Sequence, residues 1–145
     1  MEKELTSLEA LTQEAAALAD RLAPKADSAT LITLSGELGA GKTSFTQALA
    51  HVYGIEEHVT SPTFVLEKIY QLPEGKGFTR IAHIDAYRLR GGAELDPLGF
   101  SELMRDPTTL VILEWPEMVA DGLPPADVSI RLRVNDNESR TIAYA

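Results

Sequence analysis

Within nine residues, Gly36 to Ser44, the chain sets three glycines, a lysine and two adjacent hydroxyls. Gly36-x-x-x-x-Gly41-Lys42-Thr43 meets the pattern G-x-x-x-x-G-K-[ST] at every fixed position. Each residue type has a chemical use there. Glycines let backbone N–H groups turn toward phosphate oxygens with no Cβ in the way. Lys42 has the reach for the β- and γ-phosphates, Thr43 offers a hydroxyl to magnesium, and a helix starting at this point adds its positive end. The alternative is a flexible turn with a solvated lysine. Two further runs carry chemistry: Leu110-Val111-Ile112-Leu113-Glu114, four apolar residues ending in a carboxylate, and His83-Ile84-Asp85-Ala86-Tyr87-Arg88-Leu89.

Phosphoryl chemistry needs a second acid for magnesium and a group that positions water. Glu114, at the carboxyl end of a strand, would stand beside the phosphate loop if the two strands are parallel neighbours. Otherwise it is the first solvated residue after a core strand. Asp85 follows a short strand, where a carboxylate contacts a magnesium-bound water or orients the attacking one. Arg88 pairs with phosphate or with Asp85, and His83, Tyr87 and Arg88 are equally open to structural roles. Ser61-Pro62-Thr63-Phe64 is an ordinary turn or, in a nucleotide switch, a loop sensing the γ-phosphate. Trp115, the only tryptophan, belongs to the core or to a lid.

The elements that must position these groups alternate between helix and strand. Thr6 to Ala23 reads as a helix, with a capping-box pattern at Thr6-Ser7-Leu8-Glu9 and Leu8, Leu11, Ala15, Leu18 and Leu22 at helical spacing; Pro24 ends it. Thr30–Leu34 reads as a buried strand leading straight into the glycine loop. Ser44 to Tyr53 reads as the helix after it, ending at Gly54. Strands are expected at Thr63–Tyr70 and Arg80–Ile84 around a Pro/Gly turn, and a short helix at Pro97–Met104. Thr109–Leu113 is a second continuous apolar run, as in a strand covered on both faces. Val128, Ile130, Leu132 and Val134 alternate with polar residues, and Asn135-Asp136-Asn137 is a turn before a last strand near Thr141–Tyr144. The expected architecture is α/β: a single P-loop NTPase-like domain over residues 1–145, with a mixed sheet flanked by helices.

Bulk properties bound the partners. At 145 residues with 44% hydrophobic and 24% charged residues, the chain has an ordinary globular composition. It has no run long enough to span a bilayer and no secretory h-region, so a cytoplasmic location is expected. With no cysteine it has no disulfides or thiolate metal sites. The net charge of −9 repels nucleic acid. A role in a nucleic-acid pathway would therefore run through other proteins, without direct stable binding of the nucleic acid.

Taken in order, GELGAGKT, SPTF, HIDAYRL and LVILEWPE resemble the bacterial TsaE (YjeE) family, ATPases of tRNA threonylcarbamoyladenosine biosynthesis. The resemblance runs over nearly the whole chain, and the HxDxYRL and EWP elements are more specific than the glycine loop. It implies ATP and Mg2+ as ligands, held at Gly39, Ala40, Gly41, Lys42, Thr43 and Ser44. Lys42 matches the phosphate-loop lysine, Thr43 and Glu114 the magnesium ligands, and Asp85 the other essential acid. Ser61 and Thr63 fall in a switch-I-like segment and Trp115 in a switch-II-like one. The amino-terminal segment near Thr12 matches loosely to the adenine or ribose surroundings, and Arg140 more loosely to a basic residue near the nucleotide. Family members act with two partners, TsaB and TsaD, the latter transferring a threonylcarbamoyl group to an adenosine next to the anticodon.

Three other functions fit a phosphate loop. A small-molecule kinase needs an arginine-bearing lid, and this chain has only 13 lysines and arginines. A GTP switch needs an N-K-x-D guanine motif, which is absent. A non-catalytic nucleotide-binding scaffold would not need Asp85.

Overall fold

Strands covered on both faces require continuous apolar runs, and the two most apolar runs lie side by side in the middle of the sheet. The computed structural model describes residues 1–37, 39–57, 59 and 66–144. Its elements are β1 (Glu2–Leu5), α1 (Leu8–Arg21), β2 (Thr30–Ser35), α2 (Lys42–Val52), β3 (Glu67–Gln71), β4 (Arg80–Asp85), a 3-10 helix (Gly92–Leu98), α3 (Phe100–Met104), β5 (Thr109–Glu114), two 3-10 turns (Pro116–Met118 and Ala120–Gly122), β6 (Val128–Val134) and β7 (Arg140–Tyr144). The seven strands form one mixed sheet in the order β1-β7-β6-β2-β5-β4-β3. The central four, β6, β2, β5 and β4, are parallel, and the margins are antiparallel.

Residues alternating along each strand feed two cores. On one face, Ile32, Leu34, Leu110, Ile112 and Ile130 meet Leu11 and Leu18 of α1 and Phe45 and Leu49 of α2. On the other, Leu31, Val111, Leu113 and Ile84 meet Leu95, Phe100, Leu103 and Val119. This is the mixed sheet flanked by helices that the sequence implies.

Several local expectations shift. Glu2–Leu5, a charged run with no strand signal, forms β1 by pairing with β7. That extended backbone delays the first helix, so Ser7 is its N-cap and its hydroxyl accepts from Ala10 N at 3.0 Å. Glu9 is then one position too early for a capping box. Leu8, at the helix start, is 70% exposed rather than part of the apolar stripe. The second helix begins at Lys42, inside the glycine motif. The expected helix at Pro97–Met104 is two pieces, broken by Gly99 at φ 73°. Strand β3 begins at Glu67, and residues 63–65 of the expected Thr63–Tyr70 strand lie outside the described residues.

Candidate functional site

Parallel register brings the chemistry together. Leu34, one residue from the end of β2, pairs with Glu114, and Asp85 at the end of β4 pairs with Glu114 from the other side. The glycine loop and both carboxylates therefore leave the sheet at the same carboxyl edge, where α/β sheets bind ligands. Trp115 N donates to Leu34 O at 3.0 Å and Ala86 N to Glu114 O at 3.0 Å, tying the three strand ends. A cavity of about 400 Å³ opens there. Gly39, Gly41, Lys42, Thr43 and Ser44 form one wall, and Asp85, Tyr87, Glu114, Trp115 and Arg140 the rest.

The loop glycines do different jobs. Gly39 and Gly41 have φ of 81° and 104°, and a Cβ on either would meet no atom within 4 Å. They are glycine for conformation, and they leave the start of α2 without a side-chain cap. Gly36, with φ 144°, is constrained differently. A Cβ there would lie 2.3 Å from Leu132 O, so the residue is glycine because the loop packs onto the β6 backbone.

Lys42 is only 5% exposed. Its ammonium donates to Gly36 O at 2.6 Å and Glu37 O at 2.8 Å, and lies 4.5 Å from the centroid of the Trp115 ring. Burial lowers its proton affinity below the ordinary lysine value, a pull opposed by Glu114, Asp85, Glu117 and Glu37. Trp115 adopts φ 62° and packs against Tyr87, the rings tilted at 50° with centroids 4.8 Å apart. Its other contacts are in the second core, so it is both core and cavity wall.

Glu114 and Asp85 are 2% and 5% exposed. Asp85 Oδ1 accepts from Tyr87 N at 3.0 Å. Glu114 Oε2 is bonded to His83 Nε2 at 2.5 Å, and His83 is fully buried. Two neighbouring carboxylates and the Thr43 hydroxyl give a hard-oxygen donor set that suits magnesium. Among the described residues no group of three or more His, Asp or Glu forms a self-sufficient metal cage.

The other expected residues fall at varied distances from this cavity. Ala40 is fully buried and its N–H donates to Glu37 O at 3.1 Å. Arg140 donates to Gly39 O at 3.3 Å and Glu138 O at 2.6 Å and lines the cavity. Thr12 lines an adjoining groove of about 380 Å³ that shares Ser44, and its hydroxyl donates to Leu8 O at 3.0 Å. Arg88 is exposed. Ser61 and Thr63 lie outside the described residues. Tyr87 and His83 are site residues that sequence reasoning left undecided. Strand parity could have found His83, since it shares the Asp85 face of β4. A wider cavity, about 740 Å³, lies elsewhere, between Pro116–Ala126 and residues of β2, β6 and β7. It lacks converging carboxylates.

Fold and site together define an α/β protein of P-loop-like architecture. The family model for threonylcarbamoyl adenosine biosynthesis protein TsaE matches residues 9–142, and the chain belongs to that family. Relatives named tRNA threonylcarbamoyladenosine biosynthesis protein TsaE include one from Treponema pallidum, 38% identical over 79% of this chain and 81% of its own length. Another, from Rickettsia prowazekii, is 36% identical over 76% of this chain and 73% of its own. The crystal structure of Bacillus subtilis YdiB superposes with a TM-score of 0.75 at 26% identity, covering 99% of this chain and 83% of that one. The family places the protein in tRNA threonylcarbamoyladenosine biosynthesis. Among the described residues no helix is long and apolar enough to cross a membrane.

Proposed function

We propose that the protein is an ATPase that binds and hydrolyses Mg·ATP and thereby serves a partner pair resembling TsaB and TsaD, which holds the tRNA. The observation that carries this reading is the Leu34–Glu114–Asp85 register, which sets two buried carboxylates against the Lys42–Thr43 loop in one cavity. Lys42 leaves its carbonyl partners to donate to β- and γ-phosphate oxygens, and the α2 amides hold the same chain. Thr43 and Glu114 would hold magnesium, which would supply positive charge against the charge that develops on the phosphates. Asp85, held by Tyr87 N, orients the attacking water or a metal-bound one. Loop amides and Lys42 favour the charge of the departing phosphate.

Turnover by the chain alone is slow in this reading. The arginine that lines the cavity, Arg140, is already engaged with two backbone carbonyls. The net charge of −9 favours protein partners over direct contact with tRNA, and a cytoplasmic site of action follows from that pathway. The test is ATP hydrolysis by wild type, Lys42→Ala and Glu114→Ala, each with and without the partner pair. Slow basal hydrolysis, stimulation by the partners and loss in both variants are expected. Full-rate turnover that partners leave unaltered would refute partner dependence, and turnover intact in both variants would refute the site.

A further inference from the structure

We infer that His83 is a positioning residue that aims the Glu114 carboxylate at the metal. This rests on the reading of Glu114 as a magnesium ligand. His83 and Asp85 are two apart on β4 and share a face, while Glu114 pairs with Asp85 on β5, so the imidazole reaches Glu114 on a diagonal. Its Nε2 lies 2.5 Å from Glu114 Oε2, in hydrogen-bond contact. His83 is fully buried and does not line the cavity, so it acts through Glu114 and not on a ligand.

The other ring nitrogen supports this. Among the described residues, His83 Nδ1 is buried without a hydrogen-bond partner. The Nε2–H tautomer meets the carboxylate and leaves only a lone pair at Nδ1. The opposite tautomer would bury an N–H with nothing to receive it and face a lone pair toward a carboxylate. The surroundings thus select one donor, aimed at one oxygen. With Oε2 held, Oε1 is the oxygen left for an ion, and the carboxylate cannot swing. Groups that orient metal-binding side chains in this way commonly contribute about 10- to 100-fold to metal affinity.

The test measures Mn2+ binding, as a paramagnetic probe for magnesium, in the presence of saturating ATP. It compares His83→Gln, whose amide nitrogen reaches the Nε2 position, with His83→Asn, whose shorter amide does not. Thermal unfolding and ATP affinity in chelator confirm that each variant is folded. The inference expects His83→Gln to bind Mn2+ within about threefold of wild type and His83→Asn about 10- to 100-fold more weakly. It also expects His83→Asn to cost little further affinity when added to Glu114→Gln. Equal affinities in the Gln and Asn variants would overturn it, as would a full additional loss on the Glu114→Gln background. If Glu114→Gln alone binds Mn2+ like wild type, the metal-ligand reading itself falls and takes this inference with it. A weak Glu114→Gln beside a wild-type-like His83→Asn removes this inference alone.

Discussion

Lys42 holds its ammonium 4.5 Å from the centroid of the Trp115 indole while donating to the carbonyls of Gly36 and Glu37. The ammonium is thus satisfied by its own loop. A cation over an indole contributes about 0.5–2 kcal/mol, so a nucleotide bound there would have to draw the ammonium from an existing set of partners.

Trp115 is the only tryptophan, so its emission reports that move. Adding Mg·ATP to wild type is expected to change the fluorescence, and Lys42→Met is expected to start from a different baseline and respond weakly. An unchanged spectrum at saturating nucleotide, checked by equilibrium dialysis, would mean that Lys42 keeps its place.

Burial holds Lys42 below the ordinary value of 10.5. The folded state then binds this proton less tightly than the unfolded chain. Through the window between the lowered value and 10.5 the unfolded chain carries more protons, and this group makes stability rise with pH. Urea unfolding of wild type against Lys42→Met should show that the difference in stability between them shifts toward wild type as pH climbs through this window. A pH-independent difference would contradict the buried cation.

Tyr53 has the opposite sign. Its hydroxyl is buried without a partner among the described residues, and burial pushes its proton affinity up to about 12. Its contribution is fully present below pH 10 and is lost between 10 and about 12. Tyr53→Phe is therefore expected to be neutral or up to about 1 kcal/mol stabilising at pH 7, and to flatten stability in that alkaline window. A loss of more than about 1 kcal/mol at pH 7 would reveal a partner for the hydroxyl.

The glycines predict separable defects. Gly36→Ala forces a Cβ against Leu132 O, and a backbone oxygen cannot swing aside; a loss of at least about 3 kcal/mol is expected. Gly39→Ala meets no atom and only strains a left-handed φ, costing about 1–2 kcal/mol. Denaturant unfolding beside ATP affinity separates them. Equal stabilities would refute the packing role of Gly36.

Asp85→Ala should lower hydrolysis by at least about 100-fold while ATP affinity stays within a few-fold. Hydrolysis at the wild-type rate would remove Asp85 from the catalytic machinery.

Legibility in the sequence followed locality. β2, β5 and the loop were readable because interior parallel strands need continuous apolar runs and a phosphate cradle needs fixed residue types. β1 was not, because Glu2–Leu5 is an edge strand whose signal is supplied by β7, far away in the chain. The Gly92–Leu98 3-10 helix was not legible, and Pro97, expected to open a helix, lies inside it. Its fit comes from tertiary contact: a Cβ on Gly92 would lie 2.4 Å from the backbone of Gly122, and Gly92 N donates to Asp121 Oδ1 at 2.7 Å. The meeting of Glu114 and Asp85 was conditional on parallel register, which no single strand reveals.

The β1–β7 pairing also has a kinetic side. It closes the longest loops in the molecule, joining Glu2 to Ala143 and Leu5 to Arg140, and β1 has only one neighbour. Loop closure makes such pairs late to form, and margins of this kind open most readily by local unfolding. Arg140 sits in that margin and also touches Gly39 O. Opening that extends to β7 therefore releases a contact at the phosphate loop, so slower amide exchange in β7 would register an occupied cavity from the margin of the sheet.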